Sequence, residues 1–538
     1  MTEKIEQFEG WLILLSGWHR HFGALFAGAL TALAMPPFDL FFLPAFTFPV
    51  LIWLMDGAAS EPDNGLLTKL GHGFLPGFFF GFGYFLAGLW WIGNALLVEA
   101  ESFAWAWPLA VIALPAVLAI FWGIATALSR LFWNGELRRL FILAAFLCLA
   151  EYCRSIVATG FPWNTISYAV YFHPLVMQSA SVIGIYGMTA FAVLVYALPS
   201  VIFSHSSGTV NKRALVAVFG LVLISAHVGF GVARYSLRET GNVEEVTLRL
   251  VQPAIDQAEK FNREKESELF QRYLDLSVSE GKNGQKLSDV THLIWPESAF
   301  PFLLTERRDA LSAIGAMLPP GVSLITGAAR AEQATISGPE SLVFNSIYVI
   351  NDEGIIVSAA DKVHLVPFGE YLPFQETLEA LGIEQLTKMQ GGFEPGSARK
   401  LLETGIGPSF LPLICYEIIF SGSIWGDGEK PGWILNLTND AWFGYTPGPF
   451  QHLRQAVLRG VEEGVPVVRV ANSGISGIFT AYGETQESLA LSQMGIVDGN
   501  LPIAVPGETI FRQYGNTIFW AVFLIFFVVG VSPVQRKD

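Results

Sequence analysis

The chain has 538 residues, of which 52% are hydrophobic and only 15% are charged. Soluble domains carry about 25% charged residues, so this composition indicates a membrane protein. The formal net charge of -15 argues against nucleic acid or an anionic surface as a main partner. Apolar sequence is concentrated at both ends. We therefore predict a membrane bundle over residues 1–235, a polar domain over 236–514, and a last transmembrane helix with a short cytoplasmic tail over 515–538.

Eight apolar stretches are predicted to cross the membrane, seven before the polar domain and one after it. They lie at 22–35, 42–56, 74–97, 106–129, 140–157, 180–203, 214–232 and 515–533. A helix that spans a bilayer needs about 20 predominantly apolar residues. The first two stretches are short and contain or adjoin proline, so the sequence does not define their limits.

Lysine and arginine in the short loops predict the orientation of these spans. Basic residues occur near the N-terminus and in the second, fourth and sixth loops, whereas the loops at 36–41, 98–105 and 158–179 carry none. This alternation predicts a cytoplasmic N-terminus and an extracytoplasmic polar domain. The alternative is that one short span is re-entrant, which would put the polar domain on the other side.

Two features of the apolar region stand out from ordinary lipid-facing sequence. Glu151 and Arg154 lie three residues apart, and ionisable groups within a span are costly unless they are paired or functional, so we predict a structural ion pair. The uncharged, aromatic loop at 159–164 is interpreted as part of an interfacial aromatic belt. Cys148 and Cys153 are interpreted as small apolar side chains.

Strand-like runs alternate with polar helical stretches in the polar domain. The runs lie at 246–251, 291–295, 323–326, 346–350, 410–415, 433–437, 465–470 and 477–481, and the helical stretches at 258–279 and 451–463. Several runs are continuously apolar, as expected for strands that are buried on both faces. The alternation of strands and helices predicts an α/β layered domain.

Cys415 is the only cysteine of the polar domain and follows one of these apolar runs. A lone thiol in such a position is a candidate nucleophile. Glu297 and Lys362 also lie at or just beyond strand-like runs, and strand ends are where α/β sheets hold their sites. A thiol nucleophile needs a base, and acyl transfer needs a group that stabilises an oxyanion. Taken singly, each residue has a purely structural explanation: a helix cap, a turn residue or a core side chain.

Four motifs resemble those of the carbon–nitrogen hydrolase (nitrilase) superfamily and, within it, of the membrane-embedded apolipoprotein N-acyltransferase family. They are WPES at 295–298, KVHLVPFGEYLP at 362–373, ICYE at 414–417 and TNDAWFG at 438–444. The resemblance covers essentially the whole chain, including TGFPW at 159–163 and GPFQH at 448–452. It implies a multi-span helical membrane bundle joined to an αββα nitrilase-like domain.

The resemblance also implies a role for each residue that matches the family's motifs. Glu297 corresponds to the general base, Cys415 to the nucleophile, and Lys362 to the group that stabilises the tetrahedral intermediate. The backbone N–H of Tyr416 is expected to complete the oxyanion site.

Further family positions fall on supporting residues. Glu370 and Glu417 are expected to position the catalytic lysine and the loops around it. Trp442 matches an aromatic residue on an arm over the cleft, and Asn439 and Phe261 are expected beside it at the substrate. The family often has Lys-Trp where this chain has Lys-Phe, so the lipid contact expected of Phe261 is the least constrained of these assignments.

The implied reaction is a two-step acyl transfer from a membrane phospholipid to the α-amino group of the N-terminal diacylglyceryl-cysteine of apolipoproteins. It implies a monomeric, multi-pass protein of the bacterial inner membrane, with the catalytic domain in the periplasm. No cofactor is implied, and a metal site is not expected because the sequence has neither an HExxH motif nor a Cys/His cluster. Two alternatives remain: a membrane-tethered amidase or hydrolase that passes the acyl group to water, and a transporter with an accessory domain.

Overall fold

The computed structural model describes residues 2–60, 62, 65–98, 100–133, 137–204, 210–260, 263–332, 342–373, 375, 392–425 and 428–532. The chain divides into two compact units. The membrane unit comprises Met1–Gly93, Ala106–Leu237 and Thr509–Asp538, and the polar unit comprises Asn94–Trp105 and Arg238–Glu508. The sequence had placed residues 94–105 within the bundle.

Helices make up the membrane unit. They are α1 (Thr2–Leu14), α2 (Gly17–Thr31), α3 (Pro44–Ala59), α4 (Leu66–Leu89), α5 (Trp107–Leu131), α6 (Arg138–Arg154), α7 (Ala180–Ala197), α8 (Val210–Ser236) and a C-terminal helix, Thr517–Val531. Each predicted span overlaps one of these helices, whereas α1 was not predicted. The multi-span helical class predicted from composition is therefore confirmed.

Length and composition identify the helices best suited to crossing a membrane. Within the described part of the chain, four segments qualify, namely Leu66–Leu97, Ala104–Leu131, Ala180–Ile202 and Val210–Ser236. Two further apolar helices, Pro44–Ala59 and Thr517–Val531, are shorter. The count of eight crossings stays a prediction.

Close helix packing and one buried ion pair order the membrane unit. A Cβ at Gly77 of α4 would overlap the Thr126 side chain of α5, and small residues allow helices to approach closely in membranes. Arg154 forms the predicted ion pair with Glu151, and both side chains are buried. Arg154 also donates to the carbonyl oxygens of Phe161 and Trp163. The loop at 159–164 is therefore mostly buried within the protein, and its interpretation as part of an interfacial aromatic belt stays a prediction.

Two mixed sheets form the polar unit. The strands are β1 (Asn242–Gln252), β2 (His292–Ile294), β3 (Ser323–Glu332), β4 (Leu342–Ile350), β5 (Ile356–Asp361), β6 (Phe410–Ile414), β7 (Trp433–Thr438), β8 (Val467–Ala471), β9 (Ser476–Phe479), β10 (Thr485–Leu489) and β11 (Gly495–Pro502). The first sheet has the order β11-β1-β2-β3-β4-β5 and the second the order β10-β9-β8-β7-β6. Strands β1 to β3 run parallel, as do β6 to β8, and the remaining pairs are antiparallel.

The two sheets pack face to face through one apolar core. Leu248 and Ile347 of the first sheet share this core with Leu435 and Val470 of the second. Helices α9 (Glu266–Val278) and α10 (Arg308–Met317) cover the outer face of the first sheet, and α11 (Pro447–Glu463) packs on β8 of the second. The layers are therefore α, β, β and α, as the resemblance implied.

Local sequence explains where the helix behind the second sheet begins and ends. Thr446 caps α11 by accepting a hydrogen bond from the N–H of Gly448, and Pro447 occupies the first turn, where its missing N–H removes no intrahelical bond. Gly464 ends the helix with a φ of 69°, in the left-handed region. The helix packs against the turn Cys415–Ile419, which contains the candidate nucleophile.

Candidate active site

The structure brings the three predicted residues of the triad together. Glu297 follows β2, Lys362 directly follows β5, and Cys415 directly follows β6. The Lys362 ammonium lies 3.9 Å from a Glu297 carboxylate oxygen, and both charges interact electrostatically with the Cys415 thiol. Lys362 is 1% exposed and Glu297 is 7% exposed, whereas Cys415 remains partly exposed. The nucleophile is therefore a partly exposed residue beside two buried charges.

A second carboxylate and one amide tie the lysine to the glutamate. The Lys362 ammonium donates to Glu370 at 2.9 Å. The Asn345 side-chain amide donates to both Glu297 and Glu370, also at 2.9 Å. Asn345 lies in β4 and was not identified from the sequence, although an amide beside the predicted strand at 346–350 was a usable signal. These contacts hold two carboxylates and one ammonium in a single buried cluster.

Glu417 joins the lysine loop to the cysteine strand. One of its carboxylate oxygens accepts from the backbone N–H groups of Val363 and His364, at 3.0 Å each. The other accepts from the N–H of Ile414 at 2.9 Å. Glu417 therefore connects the residues that follow Lys362 to the residue that precedes Cys415.

Close backbone approach positions the glutamate. A Cβ at Gly327 of β3 would lie 2.6 Å from the Glu297 Cα and 2.8 Å from the Ser298 nitrogen. The Lys260 ammonium, at the end of a short helix (Gln257–Lys260), donates to the main-chain oxygen of Glu297 at 2.9 Å. The sequence assigned no role to Lys260. Phe261, which follows it, lies outside the described residues.

Burial and charge set the protonation of the site. Burial, followed by the negative charge of Glu297, raises the pKa of Cys415 to about 12, and Lys362 offsets part of this rise. Burial also raises the pKa of Glu297. Burial alone would lower the pKa of Lys362, but the carboxylates of Glu370 and Glu297 outweigh it and hold this pKa above its ordinary value. Burial lowers the pKa of Lys260 to about 8. The resting thiol is therefore protonated, and Glu297 is a stronger base than an exposed glutamate.

The predicted lid residues differ in how much of them remains accessible. Trp442 lies in a short turn, Asp440–Phe443, and is partly buried. Asn439 is buried, donates to Gln257 at 2.6 Å and accepts from Asn472 at 3.0 Å. Its side chain is thus engaged within the polar unit, and a contact with substrate stays a prediction.

Tyr416 follows the cysteine in the turn Cys415–Ile419, and its buried ring lies 5.7 Å from that of His364, between centroids. The family role expected for its N–H stays a prediction. Among the residues that the structure describes, no group of three or more His, Cys, Asp and Glu side chains could hold a metal ion. The arrangement is therefore suited to chemistry at the thiol, with a carboxylate and an ammonium beside it.

Two family models match separate regions of the chain. A model of the apolipoprotein N-acyltransferase N-terminal domain matches residues 27–198, and the carbon-nitrogen hydrolase model matches residues 247–505. An amidase of known structure from Nesterenkonia sp. is 17% identical, and the match covers 49% of this chain and 93% of that chain with a TM-score of 0.33. Because this TM-score is low, the fold of the polar unit is assigned from the carbon-nitrogen hydrolase model and from the two sheets, not from the amidase.

Relatives match over the full length. The apolipoprotein N-acyltransferase of Rhizobium leguminosarum bv. trifolii is 45% identical over 99% of this chain and 99% of its own. That of Brucella suis biovar 1 is 46% identical over 93% of this chain and 92% of its own. Neither name favours the amidase alternative. With this identity along nearly the whole length of both relatives, the chain belongs to the apolipoprotein N-acyltransferase family.

Proposed function

We propose that the protein takes an acyl chain from a membrane phospholipid onto Cys415 and passes it to the free α-amino group of the N-terminal diacylglyceryl-cysteine of apolipoproteins. Family membership supports acyl transfer, and the names of the relatives support the acceptor. The observation that carries the proposal is the convergence of Cys415, Glu297 and Lys362 in one buried cluster. These groups are a nucleophile, a base and a cation suited to an oxyanion.

In the first step, Glu297 accepts the Cys415 proton as the sulfur attacks the ester carbonyl carbon. Lys362 and the N–H of Tyr416 stabilise the oxyanion that forms. The carbon–oxygen bond of the ester then breaks, and the proton held by Glu297 passes to the departing oxygen of the lysophospholipid. The acyl chain remains on Cys415 as a thioester. The raised pKa of Glu297 supports this assignment because it favours proton uptake near neutral pH.

In the second step, the acceptor amine attacks the thioester and Glu297 removes a proton from its nitrogen. The carbon–sulfur bond breaks, the thiolate leaves and is reprotonated, and an amide is formed. Glu370, Asn345 and Glu417 position these groups through the contacts that they make with the lysine, the glutamate and the loop ends. Trp442, Asn439 and Phe261 are proposed to shield the thioester or to contact substrate.

The same proposal covers location and organisation. The protein is a monomer of the bacterial inner membrane, with a bundle at 1–235, a periplasmic catalytic domain at 236–514 and a last span at 515–538. A cysteine placed in the loop at 134–135, which lies outside the described residues, should be labelled only from the cytoplasm. A cysteine in place of the exposed Lys400 should be labelled only from the periplasm. Labelling of both from one side would contradict this orientation.

A single-turnover assay tests the reaction. Purified protein is incubated with acyl-labelled phospholipid, with and without a diacylated acceptor peptide, and mass spectrometry follows Cys415. We expect a long-lived acyl-enzyme that discharges rapidly only when the acceptor is added, since a shielded thioester meets little water and the bound amine is held close to it. Release of free fatty acid at the same rate in both arms would establish a hydrolase instead.

A further inference from the structure

A buried polar network lies beneath the nucleophile and contains none of the three triad residues. His452 of α11 approaches the main-chain oxygen of Cys415, with its Nε2 at 3.2 Å. Its Nδ1 lies 2.9 Å from Asp440 and 3.0 Å from an Arg469 nitrogen. Arg469 also donates to Asp440 at 2.7 Å. The side chains of His452, Asp440 and Arg469 are inaccessible to solvent.

The protonation of His452 follows from its neighbours. Burial, reinforced by the charge of Arg469 and opposed by Asp440, lowers the pKa of His452, so the ring is neutral near pH 7. A neutral ring carries one proton. Nδ1 faces both Arg469, which can only donate, and Asp440, which can only accept, whereas Nε2 faces the Cys415 carbonyl, which can only accept. Because Asp440 already accepts from Arg469, we place the proton on Nε2. Asp440 then accepts hydrogen bonds from Arg469 and from the Thr438 hydroxyl, the latter at 3.0 Å. The network thus directs one N–H at the Cys415 carbonyl.

The Cys415 backbone needs such support. Its φ of 51° lies in the left-handed region, which is unfavourable for a residue other than glycine and persists only where the surroundings enforce it. The Asn436 amide of β7 lies 3.4 Å from the same carbonyl oxygen. Two donors from separate elements, α11 and β7, therefore hold the peptide unit whose rotation would swing the sulfur.

We propose that His452, oriented by Asp440 and Arg469, is a positioning residue that fixes the Cys415 carbonyl and thereby aims the sulfur at the acyl carbon. The acylation step in this proposal rests on the proposed function, whereas the contacts of His452 do not depend on it. Because a displacement of about 1 Å in a reacting group can lower a rate about 100-fold, loss of the Nε2 donor should slow acylation of Cys415. It should leave phospholipid binding unchanged, since His452 is buried behind the nucleophile.

Three substitutions separate positioning from packing. His452→Gln keeps an N–H donor near the place of Nε2, His452→Asn has an amide too short to reach the carbonyl, and His452→Met fills the space with no donor. We expect single-turnover acylation to fall about 100-fold in His452→Met and His452→Asn and to recover at least tenfold in His452→Gln. The phospholipid concentration at half-maximal rate should stay within about twofold of wild type. His292→Met, which removes another buried histidine held by Thr291 and Thr404, is the matched control and should keep the wild-type rate.

Alkylation of Cys415 by iodoacetamide gives a second readout that needs no lipid. We expect the alkylation rate to be highest in the wild type, lower in His452→Gln and lowest in His452→Asn and His452→Met. Circular dichroism reports whether each variant is folded. Equal acylation and alkylation rates in the Gln, Asn and Met variants would overturn the positioning role. So would variants that change only the phospholipid concentration at half-maximal rate and keep the wild-type maximal rate. If wild-type Cys415 were never acylated by phospholipid, the proposed function would fail, and the alkylation series would still decide the role of His452. If His452→Met did not fold, the comparison of His452→Gln with His452→Asn would decide it.

Discussion

Removal of the buried ammonium in Lys362→Met should leave two carboxylates without the cation that lies between them. Lys362 contacts Glu370 at 2.9 Å and Glu297 at 3.9 Å, and the Asn345 amide that bridges them carries no charge. Removing one partner of a buried ion pair destabilises a protein by about 3–5 kcal/mol. Burial already raises the pKa of Glu297, and the charge of Lys362 opposes that effect, so loss of the ammonium should produce a further rise in this pKa.

The sign of the pH dependence follows from that rise. A carboxyl group with a raised pKa in the folded state contributes stability that is fully present below its unfolded pKa and is lost as the pH rises through the folded pKa. For Glu297, the loss begins above its ordinary pKa of 4.5 and, in the variant, continues to higher pH than in the wild type. Lys362→Met should therefore be least stable under alkaline conditions and should recover towards the wild type as the pH falls to about 5.

Thermal unfolding of the detergent-purified protein at pH 5 and pH 8 tests this reasoning. The double variant Lys362→Met/Glu370→Gln, which removes one of the stranded charges, should recover much of the stability lost at pH 8. Lys400→Met, at an exposed position, is the control and should leave the unfolding temperature unchanged at both pH values. An equal loss at both pH values, or no recovery in the double variant, would refute the view that uncompensated carboxylate charge causes the instability.

Three further predictions concern separate parts of the protein. Cys415→Ala should abolish acyl-enzyme formation with unchanged circular dichroism, and residual transfer would exclude covalent catalysis through this residue. Alkylation of wild-type Cys415 should rise about tenfold per pH unit between pH 7 and 10, because a pKa of about 12 keeps the thiol protonated throughout; a plateau below pH 9 would contradict this. Arg154→Met should lower the unfolding temperature by leaving the buried Glu151 unpaired, and the double variant Arg154→Met/Glu151→Gln should recover it, whereas equal loss in both would argue against the ion pair.

The strands that could be predicted from the sequence are those that consist mainly of apolar residues. All eight predicted runs correspond to strands of the two sheets. Strands β5, β10 and β11 were missed. In β5 and β10, which lie at outer edges of their sheets, no residue is fully buried, whereas the edge strand β6 is buried throughout and was predicted. An edge strand takes its hydrogen bonds from one neighbour only and needs no apolar pattern.

By itself, the sequence determined the division into apolar and polar regions, the layered α/β class, and the motifs that contain Glu297, Lys362 and Cys415. Each of these depends on composition, periodicity or a contiguous pattern, which can be read along the chain. The contacts among the residues were decided by the tertiary structure. Asn345 bridges two carboxylates 48 and 25 positions away, and His452 reaches the carbonyl of a residue 37 positions away. A hydrogen bond depends on which strand ends and helix faces meet in space, and that information resides in the packing of the sheets and helices rather than in spacing along the chain.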